Sequence, residues 1–327
     1  MDTLAASPAR LRLELKPVDI SAYARGNTGV PYVTTFNSGQ SDRKKSGPHL
    51  MINALTHGNE VCGAHALKFL FEAGVRPARG KLTLSFANVA AYDSFDEDHP
   101  GASRYLDEDF NRLWSPEVLD GDRESRELSR ARELRPIVDQ ADHLLDLHSM
   151  QTESPPLALA GVTRKGLDLA KTVGAPAHIV VDAGHAEGTR LRDYGAFGDP
   201  DDPKSALLVE CGQHWLRDSR AVAIECALRF LLRFGAISEE LAAAHLPEAP
   251  PAPQRIIEVT DAVTVRGGGF DFSGPYTGLE VIGAAGTLIG RDGNKEIRTP
   301  YDDCVLVMPS RKLRAGQTAV RFGRYIS

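Results

Sequence analysis

The chain is poor in cysteine, tryptophan and methionine, with four, two and four residues among 327. The cysteines, Cys62, Cys211, Cys226 and Cys304, stand far apart and form no C-x-x-C pair. Such spacing argues against a disulfide scaffold or a cysteine zinc site and points to reduced thiols in a cytoplasmic protein. Long apolar runs are missing too. Val281–Gly290, the longest near the C-terminus, is ten residues long and broken by glycines, whereas a membrane-spanning helix needs about 20 residues. Met1–Arg12 holds no apolar core of signal-peptide length. Positive charge is not in surplus: 38 Lys+Arg against 44 Asp+Glu leave a net −6, so neither nucleic acid nor an anionic membrane is an expected partner. With 42% hydrophobic and 25% charged residues, the composition is that of a globular protein rather than a disordered chain or a coiled coil.

What is present reads as an α/β protein. Alternating leucines suggest a strand over 11–15, and Val30–Phe36 a second, followed by a polar loop over 37–47. His49–Leu55 reads as a buried strand, a helix follows from Val61 to Gly74, and Lys81–Val89 is the next strand. This order predicts parallel pairing across a crossover helix. Tyr92–Trp114 is long, polar and irregular, which in a compact domain marks a functional loop. Glu124–Gln140 is a charged helix with its apolar stripe at Leu128, Leu134, Ile137 and Val138. Strands follow at His143–His148, His178–Val181 and Ala206–Val209, with a glycine-rich loop over 182–198. A helix over Ser219–Phe234 is capped by Asp218 or Ser219 and stopped by Gly235. Prolines at 247, 250, 251 and 253 then make a stiff linker, and residues 254–327 are short alternating β runs. The expected organisation is a catalytic domain over 1–246, a linker over 247–253, and a small β domain over 254–327 that caps the active site. The sequence has no internal repeat.

Three of the strands end in a metal ligand or a base: His57 with Glu60, His148, and Glu210. In open α/β sheets, sites form beyond the carboxyl ends of the strands. Two histidines and a glutamate are a recurring catalytic zinc set with the fourth position open to water, and zinc lowers that water's pKa toward about 7. Asp146 precedes His148 by two residues, so strand alternation aims both the same way and lets the carboxylate orient the imidazole. Glu210 is then a natural general base, with His214 next in line. The plainer alternative is a set of polar strand ends without a metal. In the long loop, Arg104, Asn111 and Arg112 suit a substrate carboxylate and a developing oxyanion, or else Arg–Asp pairs with Asp107 and Asp109. A catalytic thiol at Cys211 lacks a histidine partner.

Four segments in this order resemble the succinylglutamate desuccinylase/aspartoacylase family, on the zinc carboxypeptidase-like fold: His57-Gly58-Asn59-Glu60, Arg104 through Arg112, Asp146-Leu147-His148 and Glu210-Cys211-Gly212. The resemblance spans about residues 48–215. It implies a mixed, mostly parallel sheet flanked by helices. It also implies one Zn²⁺ on His57, Glu60 and His148, Glu210 as base, Arg104 at the scissile carbonyl, and Asn111 with Arg112 on a substrate carboxylate. The expected activity is removal of an acyl group from an N-acyl amino acid or similar small carboxylate by metal-activated water, with homo-oligomerisation possible. Peptide hydrolysis by the same metal set, or a metal-free binding protein on the same fold, are the alternatives. The chain departs from the family pattern at Asn88-Val89, at Phe110, at Gln213-His214 and over 182–203, which has no counterpart. Residues 275–323 resemble half of a biotinyl/lipoyl-like barrel, but no lysine sits in the carrier position.

Overall fold

The computed structural model describes residues 13–38, 47–184, 187–267, 269–311 and 313–326. In chain order its elements are β1 (Val33–Asn37), β2 (His49–Ala54), α1 (Val61–Glu72), β3 (Lys81–Phe86), α2 (Val89–Asp93), α3 (Pro116–Leu119), α4 (Arg126–Val138), β4 (His143–Met150), β5 (Leu157–Leu159), α5 (Arg164–Val173), β6 (His178–Val181), β7 (Ser205–Gln213), α6 (Arg217–Arg233) and α7 (Glu239–Ala243). Seven strands complete it: β8 (Arg255–Thr264), β9 (Phe270–Phe272), β10 (Glu280–Ile282), β11 (Leu288–Asp292), β12 (Lys295–Arg298), β13 (Cys304–Val307) and β14 (Thr318–Tyr325).

An eleven-stranded sheet runs in the order β1-β3-β2-β4-β7-β5-β6-β8-β14-β13-β10. Strands β3, β2, β4 and β7 are mutually parallel, as the strand–helix–strand order predicts. Every residue of β2 is buried, because helices cover both faces and leave no polar side. Leu50 and Ile52 point into one core with α1, α5 and α6. Met51 points into the other, against α4, Phe110 and Trp114. The predicted stripe of α4, Leu128, Leu134, Ile137 and Val138, is buried there. The resulting mixed α/β architecture, with a mostly parallel sheet flanked by helices, is the expected fold class.

The C-terminal strands join the same sheet: β8 lies parallel to β6, with His178 opposite Arg255, and β14, β13 and β10 follow antiparallel. A separate antiparallel sheet, β12-β11-β9, shares a core with them around Ile289, Leu306, Val320 and Phe322.

Several local expectations change. Leu11 and Arg12 lie outside the described residues. Residues 13–15 form no strand; instead the N–H groups of Glu14 and Leu15 donate to Trp215 O. Val89 opens α2 rather than ending β3. Helix α6 begins at Arg217 after Leu216, and the Ser219 hydroxyl donates to Leu216 O instead of capping the helix. Strand β5 and helix α5 are additional to the expected elements. The strand has three residues, too few for a period to show, whereas the helix carries visible end signals: Thr163 accepts from Gly166 N–H, and Gly174 turns at φ 75°.

Helix α1 lies close on the sheet through Gly63. A Cβ there would sit 2.8 Å from Ala54 Cβ and 3.3 Å from Leu147 Cβ. Gly63→Ala should therefore destabilise the fold. The overpacking cost of about 1–3 kcal/mol exceeds the gain in helix propensity, about 1 kcal/mol at most. Denaturant unfolding reads the difference, and a more stable variant would refute this packing account.

Candidate functional site

Strand β2 ends where Leu55 takes φ 60°, turning Thr56 and His57 over the carboxyl edge of the sheet. Gly58 is a steric requirement of this turn. A Cβ there would meet Tyr92 N at 2.4 Å and Ser103 O at 2.5 Å, and its N–H donates to Arg104 O at 3.1 Å. Glu60 is the residue before α1, so its carboxylate emerges beside His57. Parallel register does the rest: Asn53 lies opposite Asp146 on β4, and His148 opposite Glu210 on β7.

Glu60 is the centre of the cluster. Its Oε1 lies 2.7 Å from His57 Nδ1, and its Oε2 lies 2.9 Å from His148 Nδ1. The Oε2 atom also accepts from Ser149 N–H at 3.2 Å. Burial opposes the charge on Glu60, but the two imidazoles outweigh it and hold the carboxyl well below its ordinary pKa. Both histidines are held from behind. His148 Nε2 lies 2.7 Å from Asp146 Oδ2, and Asp146 Oδ1 in turn accepts from Asn53 Nδ2 and Thr56 Oγ1. His57 Nε2 lies 3.0 Å from Asp109 Oδ1 and 2.9 Å from Arg104 Nη2. Burial lowers the pKa of His148, yet Asp146 and Glu60 together raise it well above the ordinary value.

These three residues form the one candidate metal cluster among those described, with ligand atoms all within 4.8 Å of one another. The donor set fits a divalent ion. Both imidazoles present Nδ1 toward Glu60 while a carboxylate engages each Nε2, the arrangement that orients a ligating imidazole.

A cavity of ≈ 280 Å³ opens over this cluster. Glu210 faces it, 6% exposed, with Oε2 unpartnered. Burial, reinforced by the Glu60 charge, pushes its carboxyl up to about 8. His214 also lines the cavity. Its Nδ1 lies 2.8 Å from Ser149 Oγ, and burial pushes its pKa down to about 3, leaving a neutral imidazole.

The predicted loop residues all reach this cavity. Arg104 Nη2 donates to Asp109 Oδ2 at 3.0 Å, and its Nη1 lies 3.5 Å from Glu60 Oε1. The Asp107 pairing does not occur: Asp107 lies toward Arg126. Arg112 lies 3.8 Å from Glu187, and its Nε is buried without a hydrogen bond. Asn111 uses its carbonyl oxygen on Leu191 N–H at 2.8 Å, so its amide nitrogen is what it can offer a ligand. The loop is pinned by the buried Glu127 of α4, which accepts from the N–H groups of Leu106, Asp107 and Glu108 and from Asn88 Nδ2.

Sequence reasoning missed Asp109 as the partner of His57, although it lies inside the recognised loop segment. It also missed Glu187 and Arg190 from the unmatched stretch, and Met308, Gln317, Thr318 and Arg321 from the C-terminal strands, which together wall the cavity. No local signal marks these last four; the sheet brings them there. All four cysteines are free and buried.

The profile of the succinylglutamate desuccinylase/aspartoacylase catalytic domain matches residues 46–234, more than half of the chain. Among solved structures, the succinylglutamate desuccinylase from Vibrio cholerae superposes with a TM-score of 0.66 at 21% identity, covering 90% of this chain and 86% of that one. The succinylglutamate desuccinylase from Vibrio parahaemolyticus gives 0.64 at 20% identity, covering 91% and 87%. The product-bound ectoine utilization protein of Ruegeria pomeroyi gives 0.61 at 17% identity, covering 85% of each. No curated protein sequence matches the chain. No helix among the described residues is long and apolar enough to cross a membrane.

If Asp146 orients His148, Asp146→Asn should weaken divalent-metal binding by about 10–100-fold while the fold persists. Competition with a chromophoric chelator measures this. Unchanged affinity would show that His148 holds its orientation without the carboxylate.

Proposed function

The chain belongs to the succinylglutamate desuccinylase/aspartoacylase family, and from that premise we propose that it is a zinc-dependent amidohydrolase removing the acyl group from an N-acyl amino acid or similar small carboxylate. The observation that carries this reading is the convergence of His57, Glu60 and His148 within 4.8 Å in the same cavity as the buried, unpartnered Glu210.

In this reading His57, Glu60 and His148 hold one zinc ion. When bound, that ion acts as a Lewis acid toward a water and the scissile carbonyl. Glu210 takes a proton from the attacking water and returns it to the leaving nitrogen, a task suited to a carboxyl whose pKa burial has raised. Arg104 donates to the carbonyl oxygen as negative charge builds there. Asp109 steadies both Arg104 and His57. Arg112, with the Asn111 amide, grips the substrate carboxylate through its planar fork. Residues of β14 and the segment before it wall the mouth. This supports the view of residues 254–327 as a cap, and favours a small acylated amino acid over a long peptide. The complete donor set counts against a metal-free binding protein, and buried free thiols suit a cytoplasmic setting.

A panel of N-acetyl, N-succinyl and N-formyl amino acids, assayed with zinc, tests the activity. Glu210→Gln should retain metal and fold yet lose about 10²–10⁴-fold in turnover. Near-normal turnover would move the base role to His214.

The two arginines should separate kinetically. Arg112→Lys keeps the charge but removes the fork and should mainly raise KM. Arg104→Ala should mainly lower kcat, by roughly 10²–10³-fold, as for an oxyanion-hole donor. Replacing the substrate carboxylate with a neutral amide should reduce the difference between wild type and Arg112→Lys. If both variants lose stability and activity together, with no carboxylate–amide difference, the arginines only hold the loop.

A further inference from the structure

Strand β7 runs past Glu210 with one residue more than its neighbour β4: His148 lies opposite Glu210, but Met150 lies opposite Gln213. The extra residue is a β-bulge, which re-aims the side chains that follow it. It turns at Gly212, whose φ of 112° suits glycine alone. Two residues on stands His214, a departure from the family pattern with no task while Glu210 is the base. We propose that His214 touches the substrate directly, donating its Nε2–H to the oxygen of the scissile acyl carbonyl beside Arg104. This contact rests on the hydrolase reading of the same site.

The bulge folds His214 across the end of β4. Its N–H donates to Met150 O at 2.9 Å, and its Nδ1 lies 2.8 Å from Ser149 Oγ. Its ring packs on Trp215, with centroids 5.2 Å apart. Trp215 is itself fixed, its Nε1–H donating to Asn59 O at 3.2 Å and its N–H to Gln213 Oε1 at 2.9 Å. The imidazole is 1% exposed, and it lines the catalytic cavity. A donor held in place before the reaction is one that stabilises developing charge.

The ring carries one proton, because burial pushes its pKa down to about 3. The buried Ser149 hydroxyl has no other hydrogen-bond partner among the described residues. Donation to Nδ1 is the one bond in which that hydroxyl proton meets a protein acceptor; the reverse bond would leave it without one. Nδ1 is therefore the acceptor, and the ring proton sits on Nε2. That atom has no protein partner among the described residues and is not sealed from the cavity. A neutral imidazole donor polarises a carbonyl without giving up its proton. Location agrees. The charges acting on His214 are Glu60, Arg104, His57 and His148, whereas those acting on Arg321, across the cavity, are Asp182, Arg190, Arg112 and Glu210. His214 thus sits at the carbonyl end of the cavity, away from the carboxylate end at Arg112.

Two substitutions separate the roles of the ring nitrogens. In His214→Asn the side-chain oxygen can still accept from Ser149, but no donor reaches the place of Nε2. In His214→Gln the amide nitrogen can take that place. With the N-acetyl, N-succinyl and N-formyl amino acids as substrates, His214→Asn should lower kcat roughly 10²–10³-fold with KM little changed, and His214→Gln should stay within about tenfold of wild type. Equal kcat losses in the two folded variants, or full activity in His214→Asn, would overturn the proposal. Nitrogen-15 NMR of the wild-type imidazoles reads the tautomer without turnover and without a variant. The Nε2–H form is expected, and a proton on Nδ1 would refute the contact whatever the kinetics. No turnover by the wild type removes the hydrolase reading and this contact with it, whereas an active wild type with an unimpaired His214→Asn removes the contact alone.

Discussion

Burial of the Glu60 carboxylate between two imidazoles is the constraint around which the cavity is organised. A carboxylate with 1% of its side-chain surface exposed is tolerated only where charges and donors surround it. Here they come from separate places. His57 comes from the turn after β2, His148 and the Ser149 N–H from β4, and Arg104 from the long loop. Strands β2, β4 and β7 must hold their parallel register for these groups to meet, because a shift of one residue would turn His148 and Glu210 to the opposite face. The polar cluster depends on the apolar sheet beneath it, where both faces of β2 are packed by helices.

A second rule governs the groups around this centre: each guanidinium is oriented by a carboxylate rather than left to the solvent. Asp109 serves Arg104, Glu187 lies near Arg112, Asp182 and Asp193 serve Arg190, and Asp182 also lies 3.2 Å from Arg321 on β14. The last pair ties the C-terminal strands to the segment that walls the cavity. Together with the parallel pairing of β6 and β8, it gives the far wall a fixed position relative to Glu210, as recognition of a small ligand requires.

Legibility from the sequence followed the range of the interaction. The His57-x-x-Glu60 pair, Asp146 with His148, and Glu210 were visible because each stands at the end of an apolar run, and the run itself announces a strand. Asp109 was visible only as a loop acid beside two arginines; that it holds His57 depends on the fold of a loop pinned by Glu127. Strand β5 is too short to show a period. Helix α5 carried end signals at Thr163 and Gly174 and an amphipathic pattern that buries Leu169, Ala170 and Val173. The expected capping of α6 by Asp218 or Ser219 failed because Ser219 spends its hydroxyl on Leu216 O, a choice between local partners that composition does not decide.

The sequence by itself determined the α/β class, the strand–helix order, and the residue types at the carboxyl edge, since hydrophobic period and turn chemistry act over a few residues. Tertiary structure alone decided that Asp109 holds His57 and that Glu60 reaches His148. It alone placed Arg190 and Arg321 at one cavity, and it alone joined the C-terminal strands to the central sheet. These outcomes are pairings between residues tens to hundreds of positions apart. They are selected by sheet register and by the cost of leaving a buried charge unpaired, neither of which has a signature within any short stretch of chain.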